Sequence, residues 1–166
     1  MNIKIIITVF VGTFVVIGGL IWLGQPTASL NTGQISSTGS LLKSSEKSFD
    51  FGTISMINGN VNHEFQIVNS SEQSIVIKKI YTSCMCTTAN FKTNGRTYGS
   101  FGMPGHGGGA TRSNITLNPG STGNLEVVYD PNAHGPAGVG PINRFVYIED
   151  KNGGQLELEI KAIVTP

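Results

Sequence analysis

Charge is what this sequence has least of. Only 13% of its 166 residues are Asp, Glu, Lys or Arg, and they sum to a net charge of +1. The usual charged share is about 25%. The one adjacent basic pair is Lys78-Lys79, so there is no stripe of cations to follow a phosphate backbone, and nucleic acid is not an expected partner. The acidic residues Asp50, Asp130, Glu149 and Asp150 are scattered at turns and strand ends. No spacing pairs an acid with a base, and they read as solvated turn residues. Cysteine is limited to Cys84 and Cys86. Neither lies near the apolar N-terminus, which excludes a lipid-modified cysteine as a tether. With three histidines and no local signature placing one beside a cysteine, nucleophilic catalysis has no support. The expectation is a protein that is not an enzyme.

What is present begins with an apolar run. Ile5 to Leu23 reads IIITVFVGTFVVIGGLIWL without a charge. As a helix it is long enough to cross a hydrocarbon core of about 30 Å. Lys4 precedes the run and the next positive charge is Lys43. The positive-inside bias therefore leaves residues 1–4 in the cytoplasm and places the rest of the chain outside. Trp22 falls near the outer end, where an indole suits the headgroup region. The competing reading is a cleaved secretory peptide, with Thr27-Ala28-Ser29 as the cleavage site, but its apolar region is usually about 7 to 15 residues. Both readings export the chain. The expected location is a single-pass segment in the cell membrane with the C-terminal domain extracytoplasmic. Residues 24–46 are dominated by Ser, Thr, Gly and Gln and read as a flexible linker.

From residue 47 to 166 the hydrophobic period becomes two. Phe49 and Phe51 share a face. Val61, His63, Phe65 and Ile67 form an inward row against Asn62, Glu64 and Gln66, and Leu156, Leu158, Ile160, Ala162 and Val164 alternate with Glu157, Glu159 and Lys161. SIVIKKI, a short run near Ile115 to Leu117, NLEVVYD and NRFVYIE complete the set, with turn signals at Asn58-Gly59, Pro119-Gly120 and Gly153-Gly154. About seven short antiparallel strands point to an immunoglobulin-like β-sandwich, with a small barrel as the alternative. Asn90 to Ser113 and Pro131 to Pro141 are rich in Gly and Pro and read as long loops.

Cys84-Met85-Cys86 follows the SIVIKKI strand. In extended backbone the two Cα atoms would stand roughly 6.6 Å apart, near the upper limit for a disulfide. Three states compete: a labile disulfide, a dithiol, and a thiolate pair on a soft metal. For the metal the candidate ion is copper(I), and the candidate ligands are Cys84 and Cys86 with Met103 and His106 from the glycine-flanked loop, Met85 being a further donor. His134 is a less favoured donor. Against this stands the plain reading that both cysteines are small buried apolar side chains. His63 alternates with Val61 and Phe65 and reads as a hydrogen-bonded core or edge residue.

Phe49-Asp50-Phe51-Gly52-Thr53-Ile54, His63-Glu64-Phe65 with Asn69, Ser83-Cys84-Met85-Cys86-Thr87, and Pro119-Gly120 together resemble the bacterial domain of unknown function 1573 family over most of Ser48 to Val164. The resemblance implies an exported immunoglobulin-like fold akin to modules that mediate protein contacts, with no established activity. Met85 stands where that family usually has glycine, and the GMPGHGGG loop is an addition to its pattern. Both departures set soft or imidazole donors beside the thiols. The expected function is a membrane-anchored extracytoplasmic module that binds an envelope protein or supports envelope structure. Copper(I) binding and a thiol/disulfide redox role are the alternatives.

Overall fold

The computed structural model describes residues 40–106 and 109–166. The expected membrane span at 5–23, and the expected linker as far as residue 39, lie outside the described residues. Among the described residues no helix is long and apolar enough to cross a membrane.

Ten strands form: β1 (Leu42–Ser44), β2 (Ser48–Ser55), β3 (Val61–Asn69), β4 (Ile75–Thr82), β5 (Thr87–Thr93), β6 (Arg96–Phe101), β7 (Arg112–Leu117), β8 (Thr122–Tyr129), β9 (Gly140–Asp150) and β10 (Gln155–Thr165). Short 3-10 turns lie at Met56–Asn58 and Gly135–Gly138. One sheet has the order β1-β3-β8-β5-β6 and the other β2-β10-β9-β4-β7. The described residues form an all-β sandwich of two open sheets, which rules out the single closed barrel for them.

The period-two rows are the core. Phe65 and Ile67 on β3 and Leu158 and Ile160 on β10 are buried, and they meet Leu125, Val127, Ile148 and Phe91 from neighbouring strands. Each such side chain contributes about 1.5–3 kcal/mol by leaving water. In β4 the row changes phase, since Ile75, Ile77 and Ile80 are all buried. The pairing shifts register between Ile77 and Lys79, so Lys78 is the extra residue of a bulge and the next isoleucine still points inward. His63 takes the edge role expected of it: it stacks on Phe49 with ring centroids 3.6 Å apart, and its Nε2 lies 2.8 Å from Glu46.

Ten strands stand among the described residues where about seven are expected, and three features differ from the sequence reading. The linker drawn through residue 46 is too long, because Leu42–Ser44 pair with Ile67–Asn69 and Leu42 is buried. A single apolar residue among Ser and Lys leaves no period to detect. The stretch Asn90 to Ser113 is not one loop. Asn94 (φ 50) and Gly95 (φ 72) form a two-residue hairpin turn that sends the chain back as β6. The inward row of β5 is Thr87, Ala89, Phe91 and Thr93, and β6 is a mostly exposed edge strand, so neither carries strong hydrophobic alternation. Finally, the strands are not all antiparallel, since β2 runs parallel to β10.

The registers define two ends. Val61 faces Tyr129, which faces Thr87, while Thr82 faces Val146 and Val164 faces Gly140. The connections 56–60, 83–86 and 130–139, with residues 102–106 and 109–111, therefore open at one end of the sandwich, the loop end. The turns at 70–74, 94–95, 118–121 and 151–154 close the other, and Ser40 abuts Gly154 there.

Candidate functional site

At the loop end the chain passes from β4 to β5 through Ser83-Cys84-Met85-Cys86, and several hydrogen bonds hold this element in place. Thr87 N–H donates to the Cys84 carbonyl at 3.2 Å, closing a four-residue turn. The Thr82 hydroxyl lies 2.9 and 3.0 Å from the carbonyls of Cys84 and Thr87, and its single proton serves one of them at a time. Ser83 is tied to β9 twice: its N–H donates to the Phe145 carbonyl and its Oγ accepts from the Phe145 N–H, each at 2.9 Å. Asp130 N–H donates to the Cys86 carbonyl at 2.9 Å.

Cys84 and Cys86 are joined by a disulfide, with Cα atoms 5.3 Å apart. The extended-backbone spacing expected from the sequence does not apply, because the turn draws the two residues together and into the ordinary range for a disulfide. The two sulfurs are not equivalent. Cys86 is 2% exposed and belongs to the core cluster, while Cys84 is half-buried on the rim. Met85 between them projects outward.

Two side chains from distant segments reach the sulfurs. His134 Nε2 lies 3.1 Å from Cys84 Sγ. It is carried by the 130–139 connection, which Asn132 pins by donating from Nδ2 to the Met56 carbonyl and from its N–H to Asp130 Oδ1. Arg144 Nε donates to Cys86 Sγ at 3.3 Å. The Cys86 N–H also points at Cys84 Sγ, at 3.3 Å. Nearby, burial pushes the Tyr129 hydroxyl above its ordinary pKa range, with the Arg144 charge opposing the shift.

Of the four candidate ligands, the two cysteines are bonded to each other. Met103 and His106 line a separate cavity of about 290 Å³ with Met85, Thr87, Thr88 and Gly109, and neither cysteine lines it. The group of potential metal donors that does form among the described residues is Cys84, Cys86 and His134, whose ligand atoms lie within 4.8 Å of one another. Sequence reasoning ranked His134 low and missed Arg144. A signal for Arg144 existed. Counting by twos along β9 gives Ile142, Arg144, Val146 and Ile148, so an arginine occupies the inward row, paired with the fully buried Ile160.

A two-sheet sandwich with a rim disulfide places the chain in a broad fold class, and comparisons narrow it. The model of a family described as "Protein of unknown function (DUF1573)" matches residues 42–101, so the resemblance read from the sequence is shown for that stretch. It spans the aromatic-Gly opening, His63, Asn69 and the S-C-x-C-T element. No curated protein matches the chain. Among solved structures, a protein of unknown function from Porphyromonas gingivalis is 13% identical with a TM-score of 0.53, over 80% of this chain and 51% of that one. The chain thus spans about half that protein's length, and the likeness is one of fold. A PapD-like domain of human CEP192 is 11% identical with a TM-score of 0.45, over 76% of this chain and 87% of that one. The CooA pilin subunit of enterotoxigenic Escherichia coli is 13% identical with a TM-score of 0.43, over 75% and 97%.

Proposed function

We propose that the chain is a non-enzymatic module, held in the cell membrane by its N-terminal apolar segment, which presents the loop end of an immunoglobulin-like sandwich to a protein partner in the envelope. The observation that supports this reading is the distribution of exposed apolar side chains. Of the five exposed large apolar side chains among the described residues, Ile57 (88% exposed), Met85 (54%) and Val139 (43%) stand on loop-end connections and Ile163 lies beside that end on β10, while Leu41 is at the turn end. Exposed large apolar groups gathered at one end are the chemistry of a protein contact, and an unbranched methionine adapts readily to a partner's surface. The test is site-specific photo-crosslinking of the full chain in intact cells, with the reactive side chain at position 57 or 85, and at Asn152 on the turn end as the control. A discrete adduct from 57 and 85 and none from 152 is expected. Equal labelling from both ends would reject the reading.

A second reading rests on the grouping of Cys84, Cys86 and His134. Once reduced, the pair with this imidazole offers a soft three-donor set suited to copper(I). The reduced full chain should then compete with bicinchoninate for about one equivalent of copper(I). Cys84→Ser should abolish uptake and His134→Gln weaken it. If Met103→Leu or His106→Gln weakened it instead, the ligand set would be the loop donors.

A further inference from the structure

Arg144 is an inward-row cation without a carboxylate. Among the described residues the ion pairs are His63–Glu46, Lys79–Glu149, Lys92–Glu64, Lys92–Glu126 and Lys161–Glu159, and Arg144 is in none of them. Its guanidinium donates instead to the Asn143 carbonyl through Nη1 at 2.9 Å and to Cys86 Sγ through Nε at 3.3 Å. A disulfide sulfur is a weak, neutral acceptor. A half-buried guanidinium gains more from an anion beside it than from such an acceptor. The group beside it becomes an anion when the disulfide opens, because Cys86 then carries a thiolate.

We propose that Cys84–Cys86 is a thiol–disulfide exchange site for an extracytoplasmic dithiol, in which Cys84 is the sulfur attacked and Cys86 is the leaving thiolate, held by Arg144. Access sets the direction. Cys84 lies on the rim and Cys86 is sealed in the core, so an incoming thiolate reaches only the former. In the first step the partner's sulfur bonds to Cys84 Sγ, the Cys84–Cys86 bond breaks, and its electron pair leaves on Cys86. A cation beside the leaving sulfur lowers its basicity and speeds this step. The proton of the attacking thiol passes to solvent or to His134 Nε2, which is 3.1 Å from the sulfur under attack. In the second step the partner's other thiolate attacks its own sulfur in the mixed disulfide and releases Cys84 as a thiolate. That anion is received by His134 and by the Cys86 N–H, 3.3 Å from Sγ. The partner dithiol is oxidised by two electrons to its disulfide, this pair is reduced by the same two, and the two protons remain with the imidazole, the released thiols or solvent. Run in reverse, the reduced pair opens a partner's disulfide by attack from Cys84. The site thus extends beyond a contact surface, and it requires no protein partner to be observed.

Small thiols therefore test it on the full chain. Opening of the oxidised protein by dithiothreitol is followed by mass tagging of free thiols, comparing parent, Arg144→Gln and Arg144→Lys. Arg144→Gln should slow opening about tenfold, and Arg144→Lys, which keeps the charge, should restore most of the rate. Equal rates in parent and Arg144→Gln would overturn the assignment. Because losing the guanidinium could loosen the rim, a second measurement leaves Arg144 in place. Reduced Cys86→Ser and Cys84→Ser chains are offered oxidised glutathione, and adducts are read by intact mass. The adduct should form on Cys84 at least about tenfold faster than on Cys86, and equal or reversed rates would overturn the proposal. Either failure would leave the protein-contact reading standing, since no partner enters the experiment.

Discussion

The two ends of the sandwich solve the same problem differently. Both must turn the chain at the rim without leaving backbone groups dry and unpaired. The turn end does it with short connections and buried polar side chains. Asn69 is fully buried. Its Nδ2 donates to the carbonyls of Gln73 and Leu117 at 2.8 and 2.9 Å, while its Oδ1 accepts from the N–H and hydroxyl of Ser71 at 3.0 and 2.8 Å. Asp150, also buried, accepts from the N–H groups of Asn152 and Gly154 at 2.7 and 3.0 Å. The loop end uses longer connections and leaves Ile57, Met85 and Val139 in water, and its tightest element is clasped by a disulfide. One end is built for stability, and the other gives up burial where a partner or a thiol can reach it.

The largest effect expected from this contrast is at the turn end. Asn69→Ala removes all four of these bonds at once and strands the Leu117 carbonyl in the core, which should cost about 3 kcal/mol in urea unfolding of the full chain. Next comes the loop-end disulfide. It closes only a three-residue ring, so reducing it should cost about 1.5 kcal/mol in the same assay, less than the loss of one amide side chain at the other end. A larger loss on reduction would mean that the bond is a structural staple and would break the comparison. The smallest effect belongs to Ile57→Ser, Met85→Ser and Val139→Ser, each within about 0.5 kcal/mol of the parent in stability. The same three changes should weaken crosslinking from position 57 or 85. Stability and contact would then map to opposite ends.

The contrast was partly legible in advance. The inward rows of β3 and β10 and the turns at Pro119-Gly120 and Gly153-Gly154 follow from period and from residues that favour tight turns. Asn69, recognised only as part of a family pattern, has a physical reason: a carboxamide satisfies two donors' and two acceptors' worth of bonding in a dry turn. β1, β5 and β6 were not legible. β5 buries threonine and alanine beside one phenylalanine, while β1 and β6 each bury a single apolar side chain, Leu42 and Phe101, and otherwise draw their order from hydrogen bonds to a neighbouring strand.

By itself, then, the sequence determined which residues alternate into a core, where the chain turns, and that both cysteines sit together in one short element. Local spacing controls each of these. Tertiary structure alone decided what the cysteines meet. Arg144 is 58 residues from Cys86 and His134 is 50 from Cys84. They arrive because β9 pairs with β4, and because the 130–139 connection leaves β8 beside the start of β5. Met103 and His106, closer in sequence and chemically suited to the sulfurs, face Met85 across another cavity. Strand order, which no local pattern encodes, set the imidazole and the guanidinium against the disulfide.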